Sequence, residues 1–314
     1  MIHASKLMSM RERQIVLTAN RRVVLTANRR VMLTANRRVI WTRLVGWALG
    51  AVLVAAAAGA RAEDAKSIVQ QAVNAELTAN RDDHTLWKFM QHEANGDVFA
   101  VVQTRYGSVK RHVNEHGRPA SPQTLAADDA YNNRFAHDPT LQAKQKHDDQ
   151  HDDKSATELL KQMPDAFLWK VEGESGDGIS MSYQPNPDFD PPSMESRVMS
   201  AMSGTLVVSK PAHRIKTFTG RLMSDVTIGF GFLARIKAGS NFDVERREVA
   251  PGLWQITETH VHVNGHALFF KTIGQQQDEI NTDFTQVPPA TTLEQAAAML
   301  QQQVAARAPC CAAK

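Results

Sequence analysis

Alternation of apolar and polar side chains over residues 217–232 is the sequence feature that most constrains how this chain can fold. The aromatic and branched aliphatic residues of this stretch occupy even positions, whereas its threonines, arginine and aspartate occupy odd positions. Side chains of a β-strand point alternately to the two faces of a sheet, so this pattern separates the two kinds of residue. The stretch therefore predicts a sheet with one buried face.

The other elements follow from the same kind of periodicity. Apolar residues recur at steps of three and four over residues 65–77, which predicts a helix, and residues 86–90 are assigned to further helical turns. A short helix is predicted over residues 193–202. Further strands are predicted over residues 97–105, 108–114, 166–172, 179–183, 205–210, 242–248, 253–263, 267–273 and 276–285.

Two local signals complete the prediction of the fold. Asn264-Gly265 predicts a tight hairpin turn, and Thr291 with Glu294 predicts the capping box that begins a closing helix. Together these elements predict an α+β fold. We expect a long curved antiparallel β-sheet, half-barrel-like, with helices packed on one face.

Residues 119–162 differ in composition from the sheet-forming stretches. They are rich in Ala, Gln, Asp, His and Lys, which favours a helical, charged and solvated insertion. His147 and His151 stand four residues apart, so a helix would place both on one face, beside carboxylates that suit zinc or copper. Because neither a cysteine nor a second histidine pair accompanies them at a fixed distance, we assign no metal site.

The amino-terminal region has the three-part order of an export signal. Basic residues, among them Arg37, Arg38 and Arg43, precede the uncharged apolar residues 44–59, and Ala60-Arg61-Ala62 follows with small residues at the positions that signal peptidase reads. An uncleaved anchor would need about 20 apolar residues. We therefore predict a signal peptide over residues 32–62, cleaved near Ala62, and a periplasmic or extracellular mature protein.

An octapeptide occurs three times in succession between residues 16 and 39, and residues 1–31 contain the first two copies. Three short copies are too few for a repeat architecture, so we interpret this extension as duplicated coding sequence or as an upstream start that is not used. Residues 63–304 are then predicted to form one domain, and residues 305–314 a flexible tail. Cys310 and Cys311 are adjacent in this tail and therefore do not cross-link the fold.

Removal of the leader reverses the net charge of the chain. The full sequence carries 36 Lys and Arg against 33 Asp and Glu, a net charge of +3. Residues 1–62 hold eleven of the basic residues and only Glu12 of the acidic ones, so the remainder has 25 basic and 32 acidic side chains, or −7. The basic character therefore belongs to the leader, and we exclude nucleic acid as a partner.

Common catalytic motifs do not occur in the sequence, so we predict a non-catalytic protein with no catalytic residues and no cofactor. There is no nucleophile elbow, phosphate loop, dinucleotide fingerprint or His-Glu-x-x-His sequence. His260 and His262 are two apart on a predicted strand and share a face, where a metal could bridge them, but a solvated sheet edge is the simpler interpretation. An exported hydrolase is the less favoured alternative.

Several segments resemble known protein groups. The arrangement of helix, curved meander and helical insertion behind a signal peptide resembles periplasmic lipoprotein carriers and the related outer-membrane lipoprotein receptors and sigma-factor-regulatory sensors. A closer resemblance, over most of residues 65–300, is to uncharacterised exported bacterial proteins and brings no known activity. Its motifs are Glu76-Leu77-Thr78-Ala79-Asn80, Asp83-His84, Trp87, Met163-Pro164-Asp165-Ala166-Phe167, Gly204-Thr205-Leu206 and residues 225–236.

The resemblance to carriers implies that the concave face of the sheet holds an acyl chain of a lipid or lipoprotein. The inward-facing side chains expected to line such a groove are Phe218, Leu222, Phe230, Phe232, Trp254 and Phe269. The alternative interpretation is that these residues are ordinary core under helices, which is the more frequent role of an apolar strand face. A second functional hypothesis is a protein-interaction or envelope-stress sensing module, with an envelope protein as partner.

Overall fold

The computed structural model describes residues 48–228, 234–267 and 271–307. Within these ranges the chain forms five helices and a large antiparallel sheet of 13 strands that is not closed. This arrangement confirms the predicted α+β class and the long antiparallel sheet.

Helices and groups of strands follow one another along the chain. The helices are α1 (Ala48–Asp82), α2 (Pro122–His137), α3 (Pro139–Ala166), α4 (Met194–Met199) and α5 (Leu293–Arg307). The strands are β1 (Leu86–Glu93), β2 (Val98–Thr104), β3 (Gly107–Glu115), β4 (Arg118–Pro119), β5 (Phe167–Ser175), β6 (Gly178–Pro185), β7 (Met202–Ser209), β8 (Ile215–Leu222), β9 (Val226–Ile228), β10 (Ala234–Ile236), β11 (Asn241–Ala250), β12 (Leu253–Ala267) and β13 (Lys271–Val287).

The strand order is β4-β3-β2-β1-β13-β12-β11-β8-β7-β6-β5, with β10 pairing to the far part of β12 and to β9. The amino-terminal and carboxyl-terminal strands β1 and β13 are therefore neighbours near the middle of the sheet. Their pairing joins the meander before the helical insertion to the strands that follow it.

One hydrophobic cluster lies between α1, the end of α3, α4 and strands β5–β8. Cross-strand partners point to the same face of a sheet, as Trp169 and Tyr183 do here. We call the face of the sheet that carries these two rings the aromatic face. The buried members of the cluster are Ala65, Val69, Ala72, Val73, Met163, Ala166, Phe167, Trp169, Met181, Tyr183, Met202, Leu206, Val208, Ile215, Leu222 and Val226.

A second hydrophobic cluster lies between strands β1–β3 and the helices α2 and α5. Its buried members are Met90, Ala100, Val102, Val109, Phe135, Val287, Leu293, Ala296 and Leu300. Phe242 of the aromatic face pairs with Val261, and Val261 pairs with Gln277. Glu279 lies two residues from Gln277 on the same face of β13 and pairs with Glu93 of β1, so Glu93 also points to the aromatic face. Met90 is an odd number of residues from Glu93, so it points to the opposite face.

The helices therefore cover both faces of the sheet, one group at each end of the strand order, rather than a single face. Periodicity shows which residues of one strand share a face, but not which side of the whole sheet that face becomes. This information comes only from the register of the strands, which the sequence pattern does not contain.

Residues 86–90 form part of strand β1, so the predicted helical turns are wrong. Trp87 and Met90 are 2% and 1% exposed and lie on opposite faces of the strand. Because both faces of β1 are covered, buried apolar residues occur three apart, a spacing that imitates one face of a helix.

Asn264-Gly265 lies within β12 and is not a hairpin turn. The connection between β12 and β13 passes through residues 268–270, which lie outside the described residues. A Cβ atom at Gly265 would stand 2.5 Å from the carbonyl oxygen of Arg235 on the neighbouring β10. Glycine is needed here for the close approach of a third strand, which is another of its ordinary roles.

Helix α5 begins one residue later than predicted. The backbone N–H of Gln295 donates to the hydroxyl of Thr292, while the Gln295 side-chain oxygen accepts from the Thr292 N–H. The capping box therefore joins Thr292 and Gln295 rather than Thr291 and Glu294.

The alternating stretch of residues 217–232 does not form one strand. Strand β8 ends at Leu222, and β9 begins at Val226 after three connecting residues. The remainder of the predicted stretch includes residues 229–233, which lie outside the described part of the chain.

Helix α1 continues through Ala62, the predicted cleavage position, so cleavage would remove its first 15 residues, 48–62. In the described ranges, no helix combines the length and hydropathy required to cross a bilayer. The signal peptide and the export of the protein stay predictions.

Candidate functional site

A row of five aromatic rings crosses the aromatic face from β5 to β11. Phe167 and Trp169 lie on β5, Tyr183 on β6, Phe218 on β8 and Phe242 on β11. The ring centroids are 4.5 Å apart for Phe167 and Tyr183, 5.5 Å for Tyr183 and Phe218, and 4.9 Å for Phe218 and Phe242. These separations are those of interacting aromatic pairs, so the row is one continuous apolar strip.

Two glycines make room for this row. Gly204 and Gly220 are cross-strand partners on β7 and β8, and a Cβ atom at Gly220 would stand 2.3 Å from Cε1 of Phe242 and 2.6 Å from the Tyr183 hydroxyl. The Tyr183 hydroxyl donates to the carbonyl oxygen of Thr219 at 2.7 Å. Burial raises the pKa of Tyr183, so the phenol stays neutral. Its hydrogen bond to Thr219 holds it in the space above Gly220.

Beside the aromatic row lies a buried charge cluster formed by Glu76 of α1, Arg214 before β8 and Arg246 of β11. Arg214 donates from Nε to Glu76 Oε1 at 2.9 Å and from Nη2 to Oε2 at 3.0 Å. Nη1 of Arg246 donates to the same Oε2, and the backbone N–H of Ile215 donates to Oε1 at 2.8 Å. One carboxylate therefore accepts from two guanidinium groups and one amide.

The charges of this cluster do not cancel. Burial acts to raise the pKa of Glu76, but the hydrogen bond from Arg214 and the positive charges of Arg246 and Arg214 outweigh it and lower the pKa. Glu76 is therefore ionised at neutral pH, and two arginines share one negative charge. The ring of Trp254 lies 5.9 Å from Cζ of Arg214, within cation–π distance.

On the opposite face, His260 and His262 of β12 share the carboxylate of Asp278 on β13. His260 Nδ1 lies 2.9 Å and His262 Nε2 lies 3.0 Å from Asp278 Oδ1, and the Gln276 amide donates to Oδ2 at 2.6 Å. We call this side the histidine face. Strands β12 and β13 are internal to the strand order, so the predicted sheet edge is wrong and these histidines lie on an open sheet face.

The pKa of Asp278 is lowered to about 2 by its hydrogen bonds with Gln276, His260 and His262. We expect the carboxyl carbon of Asp278 to titrate at about pH 2 by NMR. Its folded pKa lies below the ordinary value of 3.8, so the interaction stabilises the fold above pH 3.8 and is lost as the pH falls through the folded value. His260→Ala should raise the midpoint, whereas an unchanged midpoint would contradict this account. His147→Ala on α3 is the control.

His147 and His151 lie on the exposed surface of α3. Their Nδ1 atoms are 3.5 Å from Asp148 and 3.6 Å from Asp152, the next residue along the helix in each case. Over the described ranges, no three side chains of His, Cys, Asp or Glu converge in a way that suits a metal ion. Cys310 and Cys311 lie outside those ranges.

Three of the six predicted groove residues lie in the described part of the chain. Phe218 is part of the aromatic row and half-buried, Leu222 is buried in the cluster under α1, and Trp254 is buried beside Arg214. Phe230, Phe232 and Phe269 lie outside the described residues. The structure thus brings Phe218 together with Phe242, which the sequence analysis did not include in the groove.

The charge cluster was missed by the sequence analysis, although one signal for it existed. Glu76 follows Ala72 and Val73 at steps of four and three, so it lies on the apolar face of α1. A carboxylate on the buried face of a helix requires a positive partner. The sequence does not show that Arg214 and Arg246, 138 and 170 residues away, are the partners.

Comparisons of this chain with protein-family models, with curated proteins and with solved structures gave no match.

Proposed function

We propose that this chain is a non-catalytic exported binding protein whose sheet takes an acyl chain of a lipid or lipoprotein, or a similar envelope component. The observation that carries the proposal is the aromatic row. It is buried at one end, where Trp169 and Tyr183 are 5% and 2% exposed, and half-buried at the other, at Phe218 and Phe242. A firmly anchored apolar strip that ends at solvent suits a flexible apolar ligand.

The physical basis is the removal of apolar surface from water. Each methylene group that an acyl chain buries contributes about 0.8 kcal/mol, so a few methylenes along the half-buried rings are enough for measurable binding. Val244 continues the strip along β11 beyond Phe242, on the same face. The carrier resemblance and the predicted signal peptide support the same function, with an encounter outside the cytoplasm.

Binding of dodecanol to the delipidated full-length chain, measured by native mass spectrometry and by Trp fluorescence, tests this proposal. We expect saturable uptake, and we expect Phe242→Ala to weaken it by about tenfold because it removes one wall of the strip. Ile280→Ala is the matched control, since Ile280 is 41% exposed and pairs with Glu258 on the opposite, histidine face of the sheet. Absence of uptake, or equal loss in both variants, would overturn the proposal.

A second candidate, a protein-interaction or envelope-sensing module, is favoured by a different observation. Ile280 of β13 is 41% exposed on the histidine face, and Ile256 of β12 is 45% exposed on the aromatic face, where it pairs with Arg246. Exposed apolar side chains on the sheet surface are accessible to a protein partner. This candidate predicts that a protein partner is captured by the delipidated chain and that Ile280→Asp, but not Phe242→Ala, abolishes the capture.

A further inference from the structure

Arg246 has one edge of its guanidinium group that the protein does not use. Its Nη1 donates to Glu76, whereas its Nε atom is buried and has no hydrogen-bond partner among the described residues. The side chain as a whole is 22% exposed, so it reaches solvent although its Nε is buried. A buried N–H without a partner is costly, and such groups in native proteins usually point to a missing water, ion or ligand.

The unused edge has the geometry that recognises an oxyanion. Nε and Nη2 of arginine present two parallel N–H groups, which bind carboxylate or phosphate oxygens in pairs. The nearby charges favour an anion, because Glu76 neutralises only one of the two arginines that it contacts. Glu248, the next acidic residue on β11, instead accepts from the backbone N–H of Gly252 at the hairpin end.

The strand opposite Arg246 is irregular, whereas β11 itself alternates regularly at this point. Glu245 pairs with Glu258 and Arg246 pairs with Ile256, so the extra residue of this β-bulge is Thr257 on β12. Bulges are frequent beside functional sites. Arg246 points toward Glu76 on the aromatic face by the regular alternation of β11, while Arg247, the next residue, pairs with Glu245 and Glu258.

The unused edge also lies at the end of the aromatic strip. Phe242, Val244 and Arg246 alternate along β11 toward the aromatic face. Four residues of strand span roughly 13 Å, a length that a medium acyl chain can cover. An apolar strip that ends at an arginine with a free edge matches an amphiphile with an apolar chain and an anionic head.

We propose that the Nε–Nη2 edge of Arg246 binds the oxyanion of the ligand's head group, so the ligand class is anionic amphiphiles with a carboxylate or phosphate. This inference rests on the proposed binding function and adds the charge of the ligand to it. The neutral alcohol then binds through the strip alone, and the anion binds through the strip and Arg246 together.

Titration of the full-length chain with dodecanol, dodecanoate, dodecyl phosphate and inorganic phosphate, each below its aggregation limit, tests the inference. We expect dodecanoate or dodecyl phosphate to bind about 10 to 100 times more tightly than dodecanol, as a charge-assisted hydrogen-bond pair provides. Inorganic phosphate alone should bind far more weakly. If inorganic phosphate binds as tightly as the anionic amphiphiles, the assignment of an amphiphile as ligand is wrong. If dodecanol and the anions bind equally tightly, the proposed role of Arg246 is wrong.

Two variants separate Arg246 from the rest of the site. Arg246→Lys keeps the positive charge beside Glu76 but removes the paired donors, so it should weaken the anions about tenfold and leave dodecanol unchanged. Arg247→Gln is the matched control, since Arg247 contacts Glu245 and Glu258 instead, and should change neither ligand. Thermal unfolding of both variants verifies that they fold, and equal loss of anion and alcohol in Arg246→Lys would refute the inference.

The two proposals fail in different ways. If dodecanol binds and the anions show no preference, the acyl-binding function stands and only the assignment of Arg246 is lost. If none of the three amphiphiles binds to the unaltered chain, the binding function itself is wrong.

Discussion

Replacing Glu76 by glutamine should lower the free energy of unfolding by about 3–5 kcal/mol, the usual cost of removing one partner of a buried ion pair. Glu76 is 5% exposed and accepts hydrogen bonds from Arg214, Arg246 and the backbone of Ile215. The amide of glutamine fills the same space but carries no charge. Both guanidinium groups would then repel each other beside the hydrophobic cluster under α1.

Urea unfolding of Glu76→Gln, followed by circular dichroism, measures this loss. The matched control is Glu174→Gln, because Glu174 forms an ion pair with Lys210 at 2.5 Å but has a side chain that is 59% exposed. Exposed pairs contribute about 0–1 kcal/mol, so this variant should unfold almost like the unaltered chain. Equal losses in the two variants would show that the cluster has no special role.

The effect of Glu76→Gln should also depend on pH. Burial acts to raise the pKa of Glu76 but its arginine contacts outweigh this effect, so the folded pKa lies below the ordinary value of 4.5. The ionised carboxylate therefore stabilises the fold above pH 4.5 and ceases to do so as the pH falls through the folded pKa. The difference in unfolding free energy between Glu76→Gln and the unaltered chain should accordingly be largest near neutral pH and become smaller in acid.

Replacing Gly204 by alanine should destabilise the protein by about 1–3 kcal/mol, the range found for overpacked sites. A Cβ atom at Gly204 would stand 2.0 Å from the carbonyl oxygen of Thr219 and 2.9 Å from Cα of Gly220. Both are backbone atoms of the neighbouring strand β8, so a change of side-chain rotamer cannot relieve the clash. The strands must separate, which also displaces Tyr183 from its hydrogen bond to Thr219.

Gly173→Ala is the control for this substitution, because a Cβ atom at Gly173 in β5 meets nothing within 4 Å. Differential scanning calorimetry of both variants should show a clear loss of stability for Gly204→Ala and almost none for Gly173→Ala. A Gly204→Ala protein as stable as the control would mean that β7 and β8 are farther apart than described.

The sequence predicted those parts of the fold that depend on local periodicity. The helical spacing of Ala65, Val69, Ala72 and Val73 identifies the buried face of α1, and alternation identifies β8. Gly265 shows where local signals fail, because its neighbour Asn264 suggests a turn, whereas the glycine is required by the backbone of a strand 30 residues earlier. Contacts of this kind depend on register, which a single strand does not encode.

The candidate site was predictable only in part, for the same reason. Phe218 was identified as inward-facing, but its packing against Phe242 depends on β8 lying beside β11. Arg246 sits in the run Glu245-Arg246-Arg247-Glu248, which by composition resembles an exposed polar strand. Alternation places Arg246 on the same face as Phe242 and Val244, but its contact with Glu76 depends on the packing of α1 against that face, which the run does not reveal.

The separation of the two hydrophobic clusters has a consequence for cooperativity. Among the described residues, β12 and β13 contribute only Val287 to either cluster. The middle of the sheet is therefore stabilised mainly by backbone hydrogen bonds and by contacts between polar side chains. Units with separate cores can open independently. Amide exchange in β6 and β7 should therefore respond to damage under α1, while the amides of β2 and β3, secured by α2 and α5, keep their protection.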